Sequence, residues 1–139
     1  MAAASRSSEQ RGDPRALSID LEPTPEAPSL ARAAITGFCE NLELAEPILA
    51  TLVLLVSEVV TNAVVHPDRD EAAEIRFRAR VADRGIRVEV TDGGGGFTPR
   101  ARDPAQVGGG YGLYLLSKVA SRWGVERRNG TTVWFEVAT

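Results

Sequence analysis

The sequence predicts an α+β fold, a two-layer α/β sandwich in which helices cover one face of a mostly antiparallel sheet. Two pairs of alternating apolar and polar runs are each joined by a tight turn, at Asp83-Arg84-Gly85 and at Asn129-Gly130. Such pairs are typical of antiparallel hairpins. Three other segments carry apolar residues at helical spacing, and their apolar faces need a sheet to cover. The expected order is β-α-α-β-β, a glycine-rich loop, then α-β-β.

The first half of this fold consists of one strand and two helices. Arg15 to Leu21 alternates as a half-buried strand does. The first helix is expected to open at Pro25 or Ser29, because proline suits a first turn and serine a cap, and to end near Asn41. The second is expected from about Glu46 to His66, and it is apolar around most of its circumference, which predicts a deeply placed helix.

The second half supplies the hairpins and the last helix. Strands are expected at Ile75 to Val81 and at Ile86 to Thr91, where apolar residues alternate with charged or polar ones. A third helix is expected from about Gly110 to Arg122. The final hairpin pairs Trp123 to Arg127 with Thr131 to Val137.

Composition indicates a single globular domain. The chain has 139 residues, of which 43% are hydrophobic and 25% charged, and this size suits one domain with one core. The net charge of −3 gives no support for direct nucleic-acid binding. One cysteine (Cys39) and one histidine (His66) exclude an internal disulfide and argue against a Cys/His zinc site.

The N-terminal residues and the apolar runs bear on location. Residues 1–14 are small, polar and charged, so we expect a disordered tail before a folded domain at residues 15–139. The tail lacks the apolar core of a secretory signal. The longest strongly apolar run, Leu52 to Val56, is short beside the roughly 20 residues of a membrane span. A cytoplasmic protein without a membrane segment is therefore expected.

Polar residues interrupt the apolar second helix. Glu58 and Asn62 are four residues apart and share a helix face. They could form part of a solvent-facing stripe with Ser57 and Thr61. They could instead be functional, with Asn62 as an oxygen ligand for Mg²⁺ and Glu58 as a base that activates a hydroxyl group.

Two glycine-rich segments flank a stretch without periodicity. Asp92 begins the run DGGGGF directly after a strand, which is either a β-turn or a close approach of backbone to a flat ligand. The run GGGYGL starts at Gly108 and opens the third helix, either as a flexible loop or as a phosphate site at a helix N-terminus. A Walker P-loop is excluded because no Gly-Lys-Ser/Thr follows, and no strand precedes this turn as a Rossmann motif requires.

These motifs, in this order, resemble the Bergerat-fold ATP-binding superfamily of DNA gyrase, histidine kinases and MutL. Glu58-x-x-x-Asn62 is similar to its N box, and Asp92-x-Gly94-x-Gly96 to its first glycine box. Gly110-x-Gly112-Leu113 is similar to its second glycine box. The pair Gly130-Thr131 resembles the late Gly-Thr of that superfamily, although a plain hairpin turn also explains Gly130.

Within the superfamily, the running order of motifs over residues 15–139 resembles the small anti-sigma-factor serine kinases of the RsbW and SpoIIAB kind. Such a resemblance implies ATP bound under a lid at about residues 97–110. It implies adenine contacts from Asp92 and Thr131, Mg²⁺ coordination by Asn62, and phosphates lying against Gly110 and Gly112. The other nucleotide-binding residues that it implies are Gly94, Gly96, Gly108 and Leu113. Glu58 would be the catalytic base, with Arg32 near the phosphate. For Arg32, an ordinary exposed helical arginine is the alternative.

The same resemblance implies partners and an activity. A protein serine kinase of this kind would bind a sigma factor and phosphorylate a serine of a STAS-type anti-sigma-factor antagonist, and a homodimer is expected. The alternatives are an ATP-binding regulatory module without kinase activity and a slow ATPase. His66 as a phosphoacceptor is not favoured, because the chain offers no dimerisation-helix segment of a sensor kinase.

One surface feature stands apart from these motifs. Trp134 alternates with Val133 and Phe135, so it is expected on the sheet face away from the helices. If Arg76, Arg78 and Arg80 share that face, it is a candidate protein interface. The alternative is a tryptophan covered by arginine side chains.

Overall fold

The structure is a computed structural model that describes residues 15–65, 73–92, 111–127 and 130–139, and the side chains of residues 111–113 are not described. The elements in these ranges are β1 (Ala16–Leu21), α1 (Ala27–Cys39), α2 (Glu46–Val65), β2 (Ile75–Ala82), β3 (Gly85–Asp92), α3 (Tyr111–Val119), β4 (Arg122–Arg127) and β5 (Thr131–Ala138). The order and the α+β class are those predicted from the sequence.

The strands form one antiparallel sheet with the order β1-β2-β3-β5-β4. The last strand of the chain lies inside the sheet, between β3 and β4. This order follows from the two hairpins, since β5 pairs with β4 on one side and with β3 on the other. It brings the end of β3 beside the start of β5, with Asp92 opposite Thr131.

The core lies between one face of the sheet and the helices. Alternate residues of β2 and β3, such as Phe77 and Val88, are fully buried. Helix α2 contributes five buried side chains: Leu52, Leu55, Val56, Val59 and Val60. Burying large apolar side chains in this way stabilises the fold by about 1.5–3 kcal/mol each.

Helix α2 is less enclosed than its sequence predicts. Leu54 and Val65 are 43% and 55% exposed, so the structure buries one face of a helix that is apolar nearly all round. Its 20 residues are also long and apolar enough to cross a membrane by length and composition, although core helices of soluble proteins meet the same criterion. The run Leu52 to Val56 therefore understates the apolar length of this segment.

The ends of two helices differ from the predicted ones. Helix α1 begins at Ala27, with Glu26 at the N-cap and Pro28 in the first turn, rather than at Pro25 or Ser29. Helix α3 ends at Val119 instead of reaching Arg122. The Ala120 N–H still donates to the Leu116 carbonyl at 3.0 Å, whereas the next residue pairs with the sheet, since the Ser121 N–H donates to the Glu136 carbonyl at 2.8 Å. That bond draws the chain out of the helix and into β4.

The first hairpin turns at Asp83 and Arg84, while Gly85 is already part of β3. A Cβ at Gly85 would collide with the carbonyl group of Val137 on the neighbouring strand. The glycine is therefore required for the close approach of β5, not for the turn.

Cys39 is a buried free thiol at the end of α1. Burial raises its pKa to about 11, so the thiol is neutral near pH 7 and is a poor nucleophile. The residue is part of the hydrophobic core.

Candidate nucleotide site

The junction of β3 and β5 holds a buried polar pair. Asp92 and Thr131 are direct cross-strand partners, and they are 5% and 3% exposed. No other polar side chain in the described ranges is classed as buried. Buried polar groups are costly unless they are hydrogen-bonded, so this pair is a conspicuous feature of an otherwise apolar layer.

The Thr131 hydroxyl is buried and has no hydrogen-bond partner among the described residues. A hydroxyl group can donate one hydrogen bond, and a carboxylate beside it can accept one. Adenine presents a matching edge, with an amino group that donates next to a ring nitrogen that accepts. The orphaned hydroxyl and the adjacent carboxylate of Asp92 therefore fit an adenine ring.

Two local features hold the start of β5 in place. Gly130 has a φ of 116°, a backbone conformation that L side chains rarely adopt. On the opposite face of the sheet, the hydroxyl groups of Thr91 and Thr132 are hydrogen-bonded at 2.8 Å. This bond ties the strands together one residue away from the pair formed by Asp92 and Thr131.

Glu58 and Asn62 lie one turn apart on the same side of α2, and both are half-buried. They occupy the border between the buried face of the helix and its exposed face, where Thr61 lies. The structure thus places them neither in the core nor in a fully exposed stripe. Within the described ranges no group of three or more His, Cys, Asp or Glu side chains could hold a metal. A Mg²⁺ ion here would depend on Asn62 together with phosphate and water oxygens.

Arg32 is tied to α2 through Ser57, whose side chain points to a different side of the helix from that of Glu58. Its Nη1 donates a hydrogen bond to Ser57 Oγ at 2.9 Å, and Ser57 immediately precedes Glu58 in the chain. Arg32 is half-buried, and its place near the phosphates stays a prediction. In the sequence Ser57 is only part of a polar stripe, because nothing in the local pattern indicates which residue Arg32 contacts.

Several predicted site residues lie outside the part of the chain that the structure describes. These are Gly94, Gly96, Gly108 and Gly110, the expected lid at residues 97–110, and His66. Gly112 and Leu113 belong to the first turn of α3, where the structure describes the backbone only. Helix α3 begins at Tyr111, within the second glycine-rich segment, and the backbone N–H groups of its first turn have no partners within the helix.

The fold and these side chains can be compared with known proteins. A family model described as the histidine kinase-like ATPase domain matches residues 21–137. The chain belongs to the histidine kinase-like ATPase family. The matched segment contains every predicted site residue, from Arg32 to Thr131, and ATP binding is the property that this family description implies.

Three bacterial proteins show which members of the family this chain is similar to. Serine-protein kinase RsbW of Bacillus subtilis (strain 168) is 28% identical over 130 residues, covering 84% of this chain and 81% of the relative. Serine-protein kinase RsbW of Listeria innocua serovar 6a is 28% identical over 113 residues, or 72% of each chain. The anti-sigma F factor of Caldanaerobacter subterraneus subsp. tengcongensis is 34% identical over 68 residues, 49% of this chain and 48% of the relative.

A solved structure supports the same fold. The crystal structure of the RsbU and RsbW domains of a Mycobacterium tuberculosis protein superposes with a TM-score of 0.70 at 24% identity. The superposition covers 88% of this chain and 32% of that longer chain. Within the histidine kinase-like ATPase family, this chain is similar in sequence to RsbW proteins, as the motif order predicts, and the solved structure shows the same fold.

Proposed function

We propose that this protein is an ATP- and Mg²⁺-dependent protein serine kinase that acts as an anti-sigma factor. It would bind a sigma factor and phosphorylate a serine of a STAS-type anti-sigma-factor antagonist. The observation that carries the proposal is the buried pair of Asp92 and Thr131, with its orphaned hydroxyl group, in a chain whose relatives are named serine-protein kinase RsbW.

Nucleotide binding is assigned to residues of both layers. Asp92 accepts a hydrogen bond from the adenine amino group, and the Thr131 hydroxyl supplies the second adenine contact. Asn62 is the protein ligand for Mg²⁺. The phosphates lie against the glycine-rich segments: Gly94, Gly96, Gly108, Gly110 and Gly112, with Leu113 beside them. ATP supplies the transferable phosphoryl group when it is bound.

Catalysis is assigned to Glu58 on α2 and Arg32 on α1. Glu58 acts as the base and accepts the proton of the partner's serine hydroxyl. Arg32 offsets negative charge at the phosphates, since phosphoryl transfer relies on positioning and charge neutralisation. The role of Arg32 is supported by the family resemblance, since its hydrogen bond to Ser57 does not bring the guanidinium group to Glu58: consecutive helix residues point in different directions.

The proposal also covers the oligomeric state, the cellular location and contact with nucleic acid. A homodimer and a cytoplasmic location are expected, as is the absence of direct contact with nucleic acid. These expectations rest on similarity to RsbW-type proteins and, for nucleic acid, on the net charge of −3.

Replacement of Glu58 tests the catalytic assignment. We expect Glu58→Gln to keep ATP binding and to lower phosphorylation of an antagonist protein at least about 100-fold, because removal of a general base typically costs that much. Transfer of labelled phosphate from ATP to the antagonist is the measurement. Glu46→Gln, at the exposed start of the same helix, is the matched control and should retain full activity.

Two outcomes would contradict this proposal in different ways. Unchanged phosphorylation by Glu58→Gln would remove Glu58 from the role of base. ATP binding by the wild-type chain without any transfer to an antagonist would favour the alternative of a regulatory module, in which the nucleotide controls a protein contact.

A further inference from the structure

The face of the sheet that points away from the helices is rich in arginine. Arg76, Arg78 and Arg80 are all exposed along β2, where they alternate with buried residues. The register places Arg80 directly opposite Arg87 of β3. Like charges directly opposite one another destabilise a sheet, so the stability of the fold does not explain this pair.

Two arginines of this face lie close to the ring of Trp134 on β5. The guanidinium carbon of Arg87 lies 4.0 Å from the centre of its ring, and that of Arg122 lies 5.7 Å away. Arg87 also forms ion pairs with Glu89 at 2.9 Å and Glu136 at 3.0 Å, and Arg122 pairs with Glu136 at 3.4 Å. The tryptophan is thus flanked by arginines, and both glutamates are already engaged.

Three arginines of this face have no such partner. In the described ranges, Arg78, Arg80 and Arg84 form no ion pair. A hollow of about 740 Å³ is lined by four arginines: Arg80, Arg84, Arg87 and Arg122. Asp83 and Glu136 are the acidic residues in its lining. A second hollow of about 310 Å³ continues along β2 past Arg78.

We propose that this arginine surface, formed by Arg78, Arg80, Arg84, Arg87 and Arg122, binds an extended acidic segment of a partner protein. Side chains that share one face of a strand repeat at about 6.6–6.8 Å. Carboxylates at alternate positions of an extended segment repeat at the same spacing, and so match the row on β2. The surface lies on the sheet face opposite Asp92 and Thr131 and does not depend on the proposed kinase activity.

Charge and geometry favour this occupant over two others. In a symmetric contact with a second copy of the chain, the arginine surface would face itself and place like charges together. Single-stranded nucleic acid is recognised on open aromatic rings, whereas Arg87 already lies over the ring of Trp134. The chain as a whole has a net charge of −3, so its positive charge is concentrated locally on this surface. Such a local patch is complementary to the carboxylates of a partner.

The test uses the full chain and a labelled ten-residue peptide in which Glu alternates with Ser. We expect Arg80→Glu to weaken peptide binding about tenfold, because a like charge then faces the carboxylates. The variant should fold, since the new glutamate lies opposite Arg87 and replaces a repulsive pair by an attractive one. Lys118→Glu on α3 changes the net charge equally and should leave peptide binding unchanged. Binding is read by fluorescence anisotropy.

The following results would overturn the proposal. The wild-type chain would fail to bind the peptide at millimolar concentration, or Arg80→Glu would bind it as tightly as wild type. Equal weakening by Lys118→Glu would show a general charge effect. Loss of self-association in Arg80→Glu without peptide binding would assign the surface to a second copy, and binding of a single-stranded oligonucleotide but not the peptide would assign it to nucleic acid.

Discussion

Thr131 carries a buried polar group that lowers the stability of the fold. Its hydroxyl is buried and lacks a hydrogen-bond partner among the described residues, and such a group costs about 1–3 kcal/mol. An apolar side chain of the same shape would avoid that cost. Its presence beside Asp92 is accounted for if a ligand supplies the missing hydrogen bond.

Thr131→Val separates these two effects. We expect the free energy of unfolding without ligand to rise by about 1 kcal/mol, because the orphaned hydroxyl is removed. ATP affinity should fall about tenfold, equivalent to about 1.4 kcal/mol. Urea denaturation and calorimetric titration measure the two quantities.

Thr132→Val is the matched control for this substitution. It removes the hydrogen bond to Thr91 on the opposite face, so it should lower the free energy of unfolding by about 1 kcal/mol and leave ATP affinity unchanged. ATP binding by Thr131→Val that is as tight as wild type would exclude the hydroxyl from the site.

At the scale of elements, the site depends on how closely β5 lies against β3. Gly85 at the start of β3 permits this approach at the far end of the strand pair, where it faces Ala138. The other end of the same pair carries Asp92 and Thr131. Eight consecutive residue pairs connect the two ends, so the packing at Gly85 and the geometry of the candidate site belong to one ladder.

Two glycine-to-alanine substitutions should have opposite effects on stability. Gly85→Ala places a Cβ against the carbonyl of Val137, and we expect a loss of about 1–3 kcal/mol because the backbone must move. Gly37→Ala, on an exposed part of α1 with no atom within 4 Å of the new Cβ, should gain about 0.5–1 kcal/mol from helix propensity. Urea denaturation compares them, and equal stabilities would contradict the assigned role of Gly85.

At the scale of the whole molecule, the two proposals concern opposite faces of the sheet. The helix-covered face carries the buried pair of Asp92 and Thr131. The other face carries the arginine surface and the tryptophan that two of its arginines flank. Because these groups lie on opposite sides of one sheet, the two proposals can be tested by separate substitutions.

Nucleotide binding should stabilise the entire fold. ATP at 100 times its Kd is expected to add about 2.7 kcal/mol to the free energy of unfolding. Added Mg²⁺ should enlarge the gain for wild type and less so for Asn62→Ala, since Asn62 is the proposed ligand. Thermal unfolding with ATP or ADP, with and without Mg²⁺, makes the comparison. An equal Mg²⁺ effect in Asn62→Ala would place the ion elsewhere.

The sequence by itself determined the elements and the family resemblance. Alternation and helical spacing are local properties, and they predicted the class and the order of β1 through β5. Helix ends were less accurate, because the end of α3 depends on hydrogen bonds between Ser121 and distant β5 residues, Glu136 and Ala138. The depth of α2 was overstated for a similar reason, since exposure depends on which neighbours cover a helix.

Only the tertiary structure decided which residues meet. The pairing of Asp92 with Thr131, the bond from Arg32 to Ser57 and the opposition of Arg80 and Arg87 all join separate elements. The first two of these link residues far apart in the chain. No local pattern contains their register, because strand pairing and helix packing are fixed by the burial of a shared core. The chemistry-bearing residues were thus visible in the chain, and the fold determined their arrangement.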